Sequence, residues 1–387
     1  MRARVKPELI RWVRTEAGLS VADAAKKAGT SEGIVRQWEE GTRQPTVRQL
    51  RLLANAAKRP LAIFYLAEPP WKFTALHDFR RLPGDPVADQ SPALRLAVRL
   101  ASEKRQVALD LATDLDDVPP TLPIRASRGE PVIDVARRIR KLLGVSIREQ
   151  KRWKDGYEAL NGWRQAVQDR GVLVFQARGV EVSEMRGFSV ADEPMPLIVL
   201  NTKDAPNGRV FTLFHEFCHL LLRNGGICDL RDRPSQRPEQ SATEIFCNAV
   251  AAETLVPREA FIRAPIVRDH TAGTAWSARE LRALASHFSV SWEVVLRRLL
   301  DTGQISVTDY RSCRESLSAQ YKATRTGFAT PDRSAVSGLG QVFVKLVLVS
   351  YYQDRITSRD VSEYLDVRLK HLAKIEERVM GSKVMFR

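Results

Sequence analysis

The sequence predicts a mostly α-helical protein with one small β-sheet, an α+β fold in which helical segments lie on both sides of the sheet. Apolar residues recur at helical spacing along most of the chain, with Gly or Pro where the pattern breaks. Three short apolar runs of strand type lie together, at 172–176, 185–190 and 196–201. At 387 residues the chain is too long for one ordinary core, so two or three domains are expected.

The first part of the chain, residues 7–66, has the pattern of five short helices. The helical pattern breaks at Gly29, resumes after an N-cap at Thr30 or Ser31, and stops at Gly41. Two helices so closely spaced around a glycine have the dimensions of a helix-turn-helix.

Proline-rich and polar stretches divide the rest of the chain. A turn-rich boundary precedes a helix at about 93–115, and a proline-rich connector lies at 119–131. A polar stretch at 322–338 has the composition of a linker. The predicted regions are an N-terminal helical domain, a helical linker region, the domain that contains the sheet, a second linker and a small helical C-terminal domain: 1–68, 69–130, 131–321, 322–338 and 339–387.

Composition and charge indicate the compartment and one class of partner. The formal net charge of +15 and the pI near 9.9 favour a polyanionic partner, most simply double-stranded DNA. No segment has the roughly 18 uncharged apolar residues of a membrane span, and the first residues lack the apolar core of a secretory signal. Four cysteines are too few for a disulfide framework in such a chain. We therefore expect a cytoplasmic bacterial protein that makes no membrane contact and is nucleoid-associated when bound to DNA.

The stretch "FTLFHEFCHLLL" (211–222) has two histidines four residues apart. On an α-helix His215 and His219 lie roughly 40° apart and one turn along, so both imidazoles can hold one cation. Zinc is the expected metal, because it accepts neutral histidine nitrogens together with a carboxylate and a water. Glu216 lies on the same flank, where a general base would act on the water.

A catalytic zinc needs a third protein ligand. Glu244 is preferred because it shares a helical face with Asn248 in a segment expected to be helical up to Pro257. Helical geometry alone leaves four more candidates open for this ligand: Cys228, Asp229, Glu239 and Glu253.

The motif "FTLFHEFCHLLL" followed by "EIFCNAVAAETLVP" resembles the ImmA/IrrE family of zinc metallo-endopeptidases, over about 130–310. The resemblance implies a zincin-like peptidase domain that hydrolyses peptide bonds. It also implies that Glu244 is the third zinc ligand beside His215 and His219, and that Glu216 is the catalytic base.

Four other residues near these motifs have an expected structural role. Cys218 and Cys247 stand where the family often has glycine and alanine, and we expect both to be small buried residues that pack two helices together. His270 and His287 are candidates to stabilise a reaction oxyanion, although solvated or core positions are expected for both.

The stretch "LSVADAAKKAGTSEGIVRQWEEGTRQPTVRQLRLLA" (19–54) resembles the XRE (Cro/C1-type) helix-turn-helix family, and the resemblance covers 1–68. It implies a recognition helix from Ser31 to about Glu40. Glutamine is frequent in the family at Val21 and Glu32, and a glutamate repels phosphate although it can accept a hydrogen bond from cytosine. The residues expected to contact DNA are, for the major groove, Ser31, Glu32, Gly33, Arg36 and Gln37, and, for phosphates, Arg43 and Arg48.

Together the two resemblances predict a DNA-binding transcriptional regulator with a zinc-dependent endopeptidase. Its substrate would be a regulatory protein of repressor type, or the chain itself, and the family suggests a role in stress response. The alternative is a non-catalytic XRE-type repressor or antitoxin-like regulator that keeps the peptidase fold for sensing or structure. The helical C-terminal segment favours a scaffold or a homodimer surface over a second DNA contact.

Overall fold

The structure is a computed structural model that describes residues 2–69, 90–223, 227–228, 238–271, 274–320 and 330–381. The described residues fall into two compact units: unit 1 contains residues up to 69 and 90–100, and unit 2 contains the described residues from 101 onward. The predicted fold class is confirmed, because helices dominate both units and one small sheet lies in unit 2.

Unit 1 consists of short helices around a common apolar core. In chain order these are α1 (Pro7–Glu16), α2 (Val21–Ala28), α3 (Glu32–Glu40), α4 (Val47–Ala56), a 3-10 helix (Leu61–Tyr65) and α5 (Pro92–Asp114), of which the residues up to Leu100 belong to this unit.

The turn between α2 and α3 has the predicted glycine. Gly29 ends α2 with a φ of 66°, a left-handed conformation that glycine adopts at no steric cost. Ser31 is the N-cap residue of α3, with extended backbone but no capping hydrogen bond from its side chain. Helix α3 therefore begins at the place expected for the recognition helix.

A buried ion pair joins α1 to α3. Glu39 is only 8 % exposed, and its Oε2 accepts a hydrogen bond from Arg14 Nη2 at 3.0 Å. Trp38, beside it in sequence, is fully buried in the core of unit 1. One face of α3 is thus fixed against the unit, and its other face is left in solvent.

Unit 2 contains the remaining helices and the sheet. Its further helices are α6 (Val132–Leu143), α7 (Ile147–Gln150), α8 (Gly156–Gln168), α9 (Pro206–Leu221), α10 (Pro238–Leu255), α11 (Arg258–Ile262), α12 (Pro265–Arg268), α13 (Ala278–Phe288), α14 (Trp292–Asp301), α15 (Val307–Gln320), α16 (Pro331–Leu339), α17 (Gln341–Tyr352), α18 (Ser358–Leu365), a 3-10 helix (Leu369–His371) and α19 (Leu372–Met380).

The sheet has the strand order β1-β3-β2-β4, with β1 (Leu173–Ala177), β2 (Gly187–Val190), β3 (Leu197–Asn201) and β4 (Ile227–Cys228). Strand β1 runs parallel to β3, whereas β2 runs antiparallel to both β3 and β4. The three predicted strands are therefore confirmed. The fourth strand was not predicted, because two residues are too few to show alternation.

Helix α9 packs against the sheet, α8 and α10. A Cβ atom at Gly187 would lie 2.5 Å from Thr212 Cγ2, so glycine is required where β2 passes under α9. On the far side of α9, Phe214 packs edge-on against Trp163 with ring centroids 4.7 Å apart. The helix is buried all round, which explains why apolar residues flank its polar motif on both sides.

The C-terminal helices pack within unit 2. Helix α16 covers much of the segment 322–338 for which the composition indicated a linker, and residues 321–329 lie outside the described residues. Pro331 at the first turn suits a helix start, and α16 contacts β1. Phe343 on α17 packs edge-on against Phe175 at 5.6 Å. No single helix among the described residues is long and apolar enough to cross a membrane; α16 and α17 reach that length only as a pair bent by 108°.

We expect Arg14→Met to destabilise unit 1 by about 1–3 kcal/mol, because it removes the closer cation of the buried Glu39 carboxylate and leaves Arg11, 3.8 Å away. Urea unfolding of the full chain, with hydrogen exchange at α1 and α3, measures the change. The matched control is Arg51→Met on the exposed face of α4, which should stay within about 0.5 kcal/mol of the native chain. Equal changes in the free energy of unfolding for the two substitutions would show that the buried ion pair stabilises unit 1 no more than an exposed arginine does.

Candidate metal centre and DNA-binding surface

Two neighbouring helices bring the three predicted ligands together. His215 and His219 lie on α9 with no solvent exposure, and Glu244 lies on α10. The Nε2 atoms of the histidines are 3.1 Å apart. Glu244 Oε2 is 3.1 Å from His215 Nε2, and Glu244 Oε1 is 3.3 Å from His219 Nε2. The three side chains form a group whose donor atoms all lie within 4.8 Å of one another.

This donor set fits a zinc ion. Two imidazole nitrogens and one carboxylate are a ligand set of catalytic zinc sites, in which a fourth position stays open. Atoms bound tetrahedrally about 2.0–2.2 Å from zinc lie roughly 3.3–3.6 Å from one another. The distances of 3.1 and 3.3 Å between the glutamate and the histidines are close to that separation. The group is thus arranged as ligands converging on one point.

The charge state of Glu244 also suits a ligand. Burial raises the pKa of its carboxyl, but the charge and hydrogen bonds of His215 and His219 lower the pKa by more. The net result is a pKa well below the ordinary value of a glutamate. Glu244 is therefore ionised at neutral pH, which is the form that binds a cation.

Asn248, one turn after Glu244 on α10, orients the first histidine. Its Oδ1 lies 2.9 Å from His215 Nδ1. Because an amide oxygen can only accept, Nδ1 carries a proton, and Nε2 is the ring nitrogen left to bind a metal. Such outer contacts commonly fix the ring and tautomer of a metal-binding histidine.

Glu216 is held by a contact that the sequence did not predict. Ser189 Oγ on β2 donates a hydrogen bond of 2.8 Å to Glu216 Oε2, and both side chains are fully buried. The sequence signal for Ser189 is weak: it lies in a predicted strand just ahead of the metal-binding motif. Strand pairing and the close approach at Gly187 bring it under α9.

Glu253, also considered for the third ligand, is engaged in a separate ion pair. Its Oε2 pairs with Arg298 Nη2 at 2.5 Å, and its Oε1 accepts from the Arg258 backbone N–H at 2.9 Å. Both Glu253 and Arg298 are buried, so this carboxylate is neutralised by its own cation. Three more candidates for the third ligand lie outside the residues whose side chains are described: Cys228, Asp229 and Glu239.

The remaining expectations concern two cysteines and two histidines. Cys218 on α9 and Cys247 on α10 are both fully buried, and neither forms a disulfide. His270 stacks on Trp276 with centroids 3.7 Å apart, and His287 packs edge-on against Phe288. These ring contacts place both histidines in structural positions.

The residues expected to contact DNA are all exposed in unit 1. Helix α3 buries Val35, Trp38 and Glu39 and presents its other face to solvent. On that face Arg36 Nη2 lies 4.0 Å from Glu32 Oε2, and both side chains are more than half exposed. The exposed positions include each predicted contact: Ser31, Glu32, Gly33, Arg36, Gln37, Arg43 and Arg48.

Comparisons with known families give one match in the region of the helix-turn-helix and one in the region of the metal centre. Residues 10–64, which contain α2, α3 and α4, match the family described as Helix-turn-helix. Residues 167–300, which contain the sheet, α9 and α10, match the family described as IrrE N-terminal-like domain. No curated protein matches the chain. The chain is therefore a fusion of an XRE-type helix-turn-helix domain with an ImmA/IrrE-like peptidase domain.

Proposed function

We propose that this chain is a DNA-binding transcriptional regulator whose peptidase domain is a zinc-dependent endopeptidase that cleaves a regulatory protein. The substrate would be a repressor or a copy of the chain itself. The observation that supports this most strongly is the convergence of His215, His219 and Glu244 beside Glu216. The group is fully formed, whereas a purely structural metal site would have no need of a carboxylate placed next to the ligands.

His215, His219 and Glu244 would hold the zinc, which when bound supplies Lewis acidity to the scissile carbonyl and the attacking water. Glu216 takes a proton from that water and passes it to the leaving amine. The Ser189 hydroxyl holds one oxygen of Glu216, so the carboxylate keeps one orientation and its other oxygen handles the proton. Asn248 keeps the His215 ring in the tautomer that binds metal.

The helix-turn-helix domain would place this activity at an operator. Helix α3 presents a polar face of suitable length for the major groove, with Arg36 and Gln37 as base-reading side chains. Arg43 and Arg48 would bind phosphates and so set the register of the domain. DNA binding and proteolysis in one chain would let the protein act on a regulator bound at the same promoter.

We expect the purified full chain to bind close to one zinc ion. His215→Ala and Glu244→Ala should each weaken zinc binding by more than about 100-fold, since loss of an outer-shell partner alone costs roughly 10–100-fold. Competition with a chelator of known affinity, read with metal analysis, measures the effect. A native chain that takes up no zinc would refute the site.

Glu253→Gln is the matched control for Glu244 on the same helix. It should keep zinc affinity but lower stability by about 1–3 kcal/mol, because it leaves the buried Arg298 with Asp301, 3.4 Å away, as its acidic partner. Zinc loss in Glu253→Gln with zinc retained in Glu244→Ala would reverse the assignment of the third ligand.

Glu216→Gln should keep zinc and lower cleavage by at least about 100-fold, because the amide cannot accept the proton. Quantitative proteomics of cells that express the native chain or Glu216→Gln tests this and identifies the substrate. A protein fragment present only with the native chain supports the proposal. Unchanged proteomes and unchanged regulation would instead favour the non-catalytic regulator.

Operator binding should depend steeply on salt and on the exposed face of α3. Arg36→Ala and Gln37→Ala should each lower the binding free energy for the preferred site by about 1–3 kcal/mol and relax sequence preference. Arg43→Ala should instead weaken binding to all sequences, and should reduce the slope of log binding constant against log salt concentration by about 1. Selection of DNA sites followed by titration at several salt concentrations measures both effects. The control is Arg137→Ala, exposed on α6. Specific binding that survives the Arg36/Gln37 double substitution would exclude α3 as the reading helix.

A further inference from the structure

The residues ahead of α1 (2–6, the N-terminal segment) are held in extended form against the loop that joins α3 to α4. Arg2 forms an antiparallel bridge with Thr46. The Ala3 backbone N–H donates a hydrogen bond of 2.8 Å to the Pro45 carbonyl. Because these contacts fix so short a segment, its side chains have defined directions.

The N-terminal segment has one apolar side and one basic side. Side chains of an extended chain point alternately to opposite sides. Ala3 and Val5 are buried in the core of unit 1. Arg2, Arg4 and Lys6, which alternate with them, are exposed. The apolar side therefore anchors the segment, and the basic side faces solvent.

The loop that holds this segment is itself fixed to α3. The Arg43 backbone N–H donates to the Gln37 carbonyl at 3.2 Å. At the end of α3, a Cβ atom at Gly41 would lie 3.0 Å from Pro7 Cγ, so the start of α1 is in close contact there. The N-terminal segment thus has a fixed position relative to α3.

Four arginines of the segment, the loop and the first turn of α4 form a basic patch: Arg2, Arg4, Arg43 and Arg48. Arg48 lies two residues after Thr46, the residue that pairs with Arg2. Among the residues that the structure describes, none of the four guanidinium groups has an ion pair or a side-chain hydrogen bond. By contrast, Arg14 in the same unit pairs with Glu39.

A polyanion is the expected partner of this basic patch. Residues 2–6 and 43–48 contain no acidic side chain, so the positive charge is not compensated within them. The planar guanidinium fork matches a pair of phosphate oxygens, and binding to DNA releases the counterions condensed on it. DNA is favoured over an acidic protein because the patch is fixed to α3, whose exposed polar face is the one proposed for the major groove.

We propose that Arg2 and Arg4 bind backbone phosphates of DNA next to those bound by Arg43 and Arg48. The inference rests on the proposed function and adds to it a second phosphate-binding segment, which precedes the region 10–64 that matches the Helix-turn-helix family. These contacts strengthen binding to any sequence and help to hold α3 in register, whereas the choice of sequence stays with α3.

The test compares the full-length native chain with Arg2→Ala/Arg4→Ala on a selected operator and on a duplex of scrambled sequence, at several salt concentrations. At about 0.1 M salt the affinity for both duplexes should fall by the same factor, roughly 10-fold to 100-fold, and the slope of log binding constant against log salt concentration should fall by about 2. The ratio of the two affinities should stay the same, because phosphates carry no sequence information. An unchanged slope on both duplexes would overturn the proposal.

Two matched variants show whether the effect comes from charge at this place. Arg2→Lys/Arg4→Lys keeps both charges and should retain most of the native slope, so a loss confined to the alanine variant is one of charge. Arg355→Ala/Arg359→Ala removes the same charge from exposed positions in unit 2 and should leave the slope unchanged. An equal loss of slope in that control would show that net charge, and not the N-terminal segment, is responsible, and would refute the contact.

The remaining outcomes separate this inference from the proposed function. A native chain that binds no DNA refutes both. A native chain that binds its operator with a slope indifferent to Arg2 and Arg4 refutes the N-terminal contacts alone, and this is also the result expected if the patch serves an acidic protein. A loss of sequence preference at unchanged slope would place the two arginines on base edges and would likewise count against phosphate binding.

Discussion

The close packing of α9 against α10 is the constraint on which the rest of unit 2 depends. Helix α9 is buried between the sheet, α8 and α10, so every side chain in its polar motif is removed from water. Buried imidazoles and a buried carboxylate are costly unless they satisfy one another. Here the Glu244 carboxylate lies 3.1 to 3.3 Å from the two ring nitrogens across the helix pair, an arrangement that a cation bound between them would satisfy. A displacement of α10 would therefore lose both packing and the ligand geometry.

The same helix pair shows how neighbouring groups decide what a buried carboxylate can do. Glu244 and Glu253 both lie on α10. Glu253 faces the guanidinium of Arg298, and its charge is compensated inside the protein. Glu244 faces two histidines that are also metal ligands by type, so its charge is available to a cation. Helical spacing alone could not separate the two residues, because the difference comes from the elements packed against each.

Features with a local physical cause could be predicted from the sequence. The turn at Gly29, the start of α3, three strands and the pair of histidines follow from caps, alternation and helical spacing. The role of Ser189 could not be predicted, because it depends on strand pairing and on the missing side chain at Gly187. Helix α16 was missed for a related reason. Its polar composition is that of a linker, and its contacts with β1 stabilise it as a helix.

Part of the net charge of +15 can be assigned to a defined surface of the protein. Some of the excess lies on exposed arginines beside α3, where it would be screened by salt and would favour DNA without selecting a sequence. On the proposed function, the positive charge around α3 would thus bring the chain to DNA, and the side chains on the exposed face of that helix would then select the sequence.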